Sequence, residues 1–561
     1  MKKKNNRTVW KFDSLKGMMD RVASEHGEKI AFKYKEDKEI KEVTYSQFKH
    51  QTNCLGTALS DLGFAHKHVC IIAENCYKYL VLYLTMMQSN GVYVPVDKEL
   101  PANDALYVIN NSDSEVLFYS KKYDKFIREN MDKFENVKYF VALDSDEEEG
   151  NILSYNKLME KGEKLLAEGN TAYTDIVPNL DEMRMLIYTS GTTGTAKGVM
   201  LSESNLVNVV YHGLHVAHIE TVALSVLPYN HSYEAVVGIL VGIHEHATMC
   251  INENLKAVLK NLQLYKPDYV YLVPAFADLF YKKIWQNAEK TGKAKMLKVL
   301  IKVSNGLLKC GIDLRRKFFK TILDNFGGNL CLIVCGGAPI RSEVGAFFTA
   351  IGIDLLNGYG ISECSPLISV NCVEDNDCRT VGHTLPCLEA KIDNPDENGD
   401  GEICVKSPTV MMGYYKMPEQ TAEVLTEDGW FYTGDYGRFN EKGLLMITGR
   451  KKNLIILSNG KNIFPEELEE YITAIPYVQD AVVYGGKNED GLEDHLVAQV
   501  YFSEEGIKES GIENPAERIK ADIDEAMKEL PAYKRIEKVI VRDHEFVKTT
   551  TQKIKRNCLD Q

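Results

Sequence analysis

The stretch IYTSGTTGTAKGVM, Ile187 to Met200, gathers side chains that bind anions. Thr189, Ser190, Thr192 and Thr193 offer hydroxyl donors, Gly191 and Gly194 let a ligand come close to the backbone, and Lys197 adds positive charge. Such a loop, pinned between regular elements, presents N–H groups and hydroxyls to a phosphate or carboxylate. It is not a Walker loop. Counted from Gly191, the second glycine of G-x-x-x-x-G-K-[S/T] falls on Ala196, and Lys197 is followed by Gly198 instead of a hydroxyl residue.

Two other clusters invite a metal and fail on spacing. Asp396, Asn398, Asp400 and Gly401 in DENGDGE copy the first half of a calcium loop, but the closing glutamate position is Ser407, so a hairpin turn is expected. His212, His215 and His218 recur every three residues on an expected helix, without an HExxH pattern or a cysteine partner. The 13 cysteines are odd in number and lack a CxxC pair, which fits reduced thiols of a cytoplasmic protein. Cys331 and Cys335 are expected on one face of a strand.

The elements that must position the loop are legible from hydrophobic pattern. An apolar strand, MLIY, precedes it, and a helix is expected after it, with Leu206, Val209, Val210 and Leu214 buried and Ser204 as cap. Short β-rich runs such as HVCIIAENC, VYVPVD, VKYFVALD, YVYLVP and NLCLIVCGG alternate with helical stretches such as NCYKYLVLYLTMMQSNG up to about residue 380. That alternation predicts α/β architecture with mostly parallel sheets. Beyond residue 385 the texture turns to short strands and turns, a β-rich subdomain, and from about 453 helices and strands mix in a small α+β domain.

The chain has 561 residues, 44% of them hydrophobic, enough for several cores. With 66 basic and 80 acidic residues the net charge is −14, which excludes a broad nucleic-acid-binding surface. The opening MKKKNNRTVW lacks the apolar run of a secretory signal, and AVVGILVGI is too short to span a bilayer.

Six motifs in order carry a family resemblance: YTSGTTGTAKGV, LPYNHSYE (Leu227–Glu234), GGAP (Gly336–Pro339) with NGYGISE (Asn357–Glu363), YTGDYGRF (Tyr432–Phe439), GRKKNLIILSNGKNIFPEELE (Gly449–Glu469) and KTTTQKIKR (Lys548–Arg556). Together they resemble the adenylate-forming, AMP-binding superfamily over nearly the whole chain, from about Val43 onward. ECSPLISVN and LVPAFADLFYKKIW are most similar to its long-chain fatty acyl-CoA and acyl–carrier-protein synthetases.

The resemblance implies a large N-terminal adenylation domain (1–449), a hinge (450–453) with its pivot at Lys452, and a small mobile C-terminal lid (454–561). It implies ATP, Mg2+ and CoA as cofactor or co-substrate, with a fatty acid as the other partner. The glycine-rich loop would hold the β- and γ-phosphates, and Glu363 with Thr189 would bind the metal. Ser362 would address the α-phosphate, Tyr359 would stack on adenine beside Gly337 and Ala338, and Asp435 and Arg450 would hold the ribose. His231 would gate the carboxylate site, and Gly460 would approach the incoming thiol. Lys553 would bridge carboxylate and α-phosphate, although Gln552 stands where many members have glycine. Gly238 and Gly242 would share a helix face, either to leave an alkyl slot or to pack tightly. Alternatives of the same fold are a synthetase that loads carrier-protein phosphopantetheine, an amino-acid-activating module, and a catalytically silent binder. Peripheral membrane contact is expected from the lipid nature of the substrate, without a transmembrane segment.

Overall fold

A computed structural model describes residues 8–189, 196–457, 462–487, 493–548, 554–556 and 559. The chain divides into two compact units, the first of residues 1–389 and 406–431, the second of 390–405 and 432–561. The boundary expected at 449 and 450 falls inside the second unit.

Two large sheets organise the first unit. One has nine strands; its central run, Asp354–Gly360, Leu332–Cys335, Tyr269–Leu272, Val222–Ser225, Thr248–Ile251 and Ile30–Glu36, is parallel throughout. Antiparallel strands finish both edges, Glu39–Thr44 at one and Leu367–Val370 with His383–Thr384 at the other. The second sheet has eight strands, with a parallel run from Met183–Thr189 through Val92–Pro95, His68–Ile72, Val116–Tyr119 and Tyr139–Ala142 to Ile152–Ser154. Parallel strands need crossovers that cover both faces. The central strands are accordingly buried along their length, as their unbroken apolar runs predict. Each of the five quoted β-rich runs contains a strand, and the expected helix is Tyr77–Met87.

One expectation about the glycine-rich segment needs correcting. No helix follows it directly: Lys197–Ser202 is a strand, antiparallel to Met183–Thr189, with Thr189 opposite Lys197. The helix starts at Glu203, and its cap is Ser202, not Ser204. The Ser202 hydroxyl accepts from the Asn205 N–H at 3.1 Å, and the Asn205 side chain accepts from the Ser202 N–H at 2.9 Å. Leu206, Val209, Val210 and Leu214 are buried as expected. KGVMLS alternates too weakly to announce a strand; pairing with its neighbour makes it one.

A four-stranded sheet is formed by Glu389–Asp393, Gly401–Lys406, Phe431–Phe439 and Leu445–Arg450. DENGDGE is the turn between its first two strands, where Asp396 accepts from the N–H groups of Asn398 and Asp400 at 2.8 and 3.0 Å. A three-stranded sheet, Val478–Lys487, Glu493–Phe502 and Ile536–Val541, packs with the helices Pro465–Thr473 and Pro515–Ala526 around Leu468, Ile472, Val483, Ala498, Ile519 and Ile523. None of the described cysteines forms a disulfide. Cys331 lies one residue before the strand that ends at Cys335. Among the described residues no helix is long and apolar enough to cross a membrane.

Candidate active site

In open parallel sheets, ligands collect beyond the carboxyl ends of the strands. The GGAP and NGYGISE motifs occupy that edge of the nine-stranded sheet, on neighbouring parallel strands with Cys335 opposite Asn357. Gly336 permits the close approach: a Cβ there would lie 3.2 Å from the Gly358 carbonyl oxygen and 3.4 Å from the Tyr233 ring. Gly337 has φ +88°, and the turn it makes leaves Ala338 exposed. Tyr359 is half-buried on the adjacent strand.

The chain then turns through Ser362–Cys364, a short 3-10 segment. The Ser362 hydroxyl lies 3.2 Å from that of Ser232 and is buried with it. Next to Ser232, the half-buried His231 accepts from the Tyr233 N–H at Nδ1, 3.3 Å away, which puts the proton of a neutral ring on Nε2. LPYNHSYE and NGYGISE, far apart in sequence, therefore meet side by side.

Glu363 is placed by a residue that sequence reasoning missed. The Tyr414 hydroxyl donates to Glu363 Oε1 at 2.8 Å, and the Met411 N–H donates to the Glu363 carbonyl at 2.8 Å. Tyr414 belongs to a two-residue strand paired with Lys197–Ser202, in register with Val199. Its ring lies under the Lys197 ammonium, 4.8 Å from Nζ to the centroid. Burial and the nearby Glu363 carboxylate push the Tyr414 phenol far up, so it stays a donor. Lys197, Tyr414 and Glu363 form one cation–aromatic–carboxylate array; Thr189 faces Lys197 across the strand pair. No pattern marks GYYK; only a short antiparallel pairing reveals Tyr414.

The segment after His231 is a π-helix, Tyr233–Leu240, that runs into the short α-helix Val241–His244. π-turns concentrate at functional sites. The spaces over Gly238 and Gly242 are occupied: a Cβ at Gly238 would lie 2.8 Å from the Glu234 carboxyl carbon, and one at Gly242 2.8 Å from the Met249 sulfur. Glu234 is fully buried; Ser225 donates to its Oε1, and burial raises its carboxyl to about 8 against the pull of Ser225 and the Leu227 backbone.

In the second unit, Asp435 and Arg450 face each other across two antiparallel strands, with Arg450 Nε 2.9 Å from Asp435 Oδ1. Asp435 is buried, while Arg450 remains partly exposed. Lys452 follows in an exposed 3-10 turn. Ser190, Gly191, Thr192, Thr193, Gly194, Gly460, Gln552 and Lys553 lie outside the described residues. Two basic neighbours of Lys553 have structural partners: Lys548 pairs with Asp480 at 2.8 Å, and Arg556 grips both oxygens of Glu469 at 2.5 Å. Among the described residues two groups of side chains could hold a metal ion, and His212, His215 and His218 belong to neither.

Comparison with known proteins agrees with this geometry. The family model described as AMP-binding enzyme matches residues 19–415, and the AMP-binding enzyme C-terminal domain matches residues 452–561. The chain belongs to the AMP-binding enzyme family. Similar curated proteins include long-chain-fatty-acid–CoA ligase 1 of Cavia porcellus, 28% identical over 504 residues, covering 84% of this chain and 71% of that one. Fatty acyl-CoA synthetase A of Dictyostelium discoideum is 30% identical over 502 residues, covering 82% and 72%. Among solved structures, anthranilate CoA ligase AuaEII in complex with anthranoyl-AMP superposes with a TM-score of 0.77 at 17% identity, over 98% of this chain and 97% of that one. At that identity the likeness speaks for the fold of this AMP-binding enzyme and not for its acid.

Proposed function

We propose that this enzyme is an AMP-forming fatty acid–thiol ligase, with CoA as the thiol. The observation that carries the reading is the array Lys197–Tyr414–Glu363 beside the Ser232–Ser362 pair, at the carboxyl edge of a parallel sheet in an AMP-binding fold. Names of relatives in two organisms support the fatty acid.

The reaction has two steps. A carboxylate oxygen attacks the α-phosphorus of ATP and pyrophosphate leaves, giving an acyl-adenylate. The thiol sulfur then attacks the acyl carbon, loses its proton, and AMP leaves with the bonding pair. Both steps gather negative charge in one place, so positioned donors and cations lower the barrier. Lys197 serves the leaving pyrophosphate, and Ser362 addresses the α-phosphate. Tyr359, Gly337 and Ala338 receive adenine, and Asp435 with Arg450 receives the ribose. His231 orders the carboxylate. The Glu363 carboxylate, oriented by Tyr414, is a hard oxygen donor suited to Mg2+, with Thr189 as a second oxygen. The cation would supply positive charge to the phosphate chain. Lys553 bridges acid and α-phosphate during adenylation, and rotation of the C-terminal segment about Lys452 replaces it with the Gly460 face for thioester formation. Measuring pyrophosphate release over fatty, aryl and amino acids, with and without CoA and with a phosphopantetheine carrier, tests the reading. The highest specificity constant on an aryl or amino acid would sink it.

The same reading extends to a membrane surface as the source of the acid. The helix Ala294–Lys309 buries Leu297 and Ser304, yet exposes Met296, Val299 and Val303, 53%, 59% and 47% accessible, on an adjoining stripe. Exposed Lys295, Lys298, Lys302 and Lys309 flank that stripe, in a chain whose net charge is −14. An apolar stripe bordered by lysines suits an anionic bilayer. Co-sedimentation with phosphatidylglycerol vesicles should be lost in Val299→Glu; equal binding of wild type and variant would remove this helix from the contact.

A further inference from the structure

His50 and Cys54 stand one turn apart on the helix Tyr45–Asp61 and therefore share a face. Glu163 meets them from the helix Tyr155–Ala167. The approach of the two helices is fixed by Gly162: a Cβ there would lie 1.9 Å from the Cys54 carbonyl oxygen, so the backbones touch and the next residue is delivered to the thiol. Cys54 Sγ is 3.1 Å from Glu163 Oε2 and 3.6 Å from His50 Nε2, and His50 Nε2 is 2.5 Å from Glu163 Oε2. All three ligand atoms lie within 4.8 Å of one another. None of the three residues belongs to the candidate active site.

We propose that His50, Cys54 and Glu163 form a zinc site that staples these two helices, with water as fourth ligand. The donor set is one sulfur, one imidazole nitrogen and one carboxylate oxygen, the mixture that borderline Zn2+ accepts in a tetrahedron. With Zn–S of about 2.3 Å and Zn–N or Zn–O of about 2.0–2.2 Å, ligand atoms of a tetrahedral ion sit roughly 3.3–3.6 Å apart. The two sulfur distances already fall near that spacing. The His50–Glu163 pair must open by about 1 Å on that geometry, and both side chains can swing, being 54% and 59% exposed. Cys54 is the buried, fixed anchor. The scaffold is two packed helices rather than a loop, which keeps such a site in register. The other described group, Cys372, Asp375 and His383, spans a strand edge and the preceding loop, and it serves as the internal control.

The test uses the full chain, stripped with a chelator and then titrated with Zn2+ by calorimetry and with Co2+ by absorption. Wild type should bind one equivalent assigned to this site, give a thiolate-to-cobalt charge-transfer band, and melt higher with Zn2+. Cys54→Ser should lose that band and equivalent, and His50→Gln and Glu163→Gln should weaken binding by at least ~10-fold. Adenylation by the metal-stripped Cys54→Ser protein should match that of metal-stripped wild type. The two exposed-residue variants keep the test valid if Cys54→Ser fails to fold. Cys372→Ser and Cys310→Ser should leave the band in place. A wild type without the band, or a band that survives Cys54→Ser and vanishes in Cys372→Ser, overturns the proposal, and the cluster is then a hydrogen-bonded triad.

Discussion

Glu203 and Glu234 are both buried in the first unit, and their surroundings neutralise them in opposite ways. At the start of the Glu203–Val216 helix, Arg184 donates to Glu203 Oε2 from Nε and Nη2 at 3.2 and 3.0 Å, and the Leu15 N–H donates to Oε1 at 2.8 Å. Burial pushes the Glu203 carboxyl up and the Arg184 guanidinium down, and each partner holds the other charged. At the start of the π-helix, Glu234 has the Ser225 hydroxyl and the Leu227 backbone beside its carboxyl and no cation among the described residues. With no cation beside it, the cheaper solution is a proton. Glu363 differs from both: it is half-buried, oriented by a phenol, and open to a ligand. One side-chain type thus serves as ion-pair strut, neutral packing group and candidate metal ligand, and the neighbours decide which.

The largest effect expected is on Glu203. Glu203→Gln leaves the Arg184 charge buried without its counter-charge, and should cost ~3–5 kcal/mol in denaturant unfolding. A loss below about 1 kcal/mol would mean that the pair behaves like a surface one and would break the contrast with Glu234.

Glu363→Gln comes next. It should slow pyrophosphate release by ~10²–10³ while leaving the unfolding midpoint unchanged, since the residue answers to a ligand and not to the core. Equal activity of the variant and wild type would reassign Glu363 to structure.

For Glu234 the sign follows from its raised value. The folded carboxyl titrates near 8 and the unfolded one near 4.5, so between those values the unfolded chain holds fewer protons. Stability contributed by the neutral carboxyl is therefore present below the lower value and is lost as pH rises through the window, by up to about 1.4 kcal/mol per pH unit. Glu234→Gln should remove that slope and keep adenylation within about 3-fold of wild type, a difference under 1 kcal/mol. Melting curves of both proteins from about pH 5 to about pH 8 decide it; parallel curves would place a charge on Glu234 in the folded state.

The smallest effect is that of Tyr414→Phe. Losing one orienting hydrogen bond of about 1 kcal/mol should lower kcat about 5-fold, with Mg2+ dependence shifted to higher concentration. An unchanged Mg2+ profile would detach Tyr414 from the metal.

Much of this was legible in the chain itself. Apolar β-rich runs of four to six residues, separated by helical patterns, announced buried parallel strands, because a strand covered on both faces has no polar side to show. Ordered motifs announced the family, because backbone turns and charged residues at fixed spacing survive as local text, and they named Glu363, Asp435 and Arg450 as candidates for its site. DENGDGE read as a turn because its Asp396 bonds reach no farther than Asp400.

Tertiary structure decided what depends on distant pairing. Lys197–Ser202 is a strand because Met183–Thr189 lies beside it, and Tyr414 reaches Glu363 across 51 residues because a two-residue strand docks on that pair. That Gly238 lies under the Glu234 carboxyl and Gly242 under the Met249 sulfur is likewise set by packing and not by the spacing of the two glycines. His50 and Cys54 carry a helical spacing that any surface helix could show; Glu163 joins them because Gly162 lets two backbones touch. Spacing along the chain fixes which residues can share a face, whereas the partner across that face is set by packing, which no local pattern encodes.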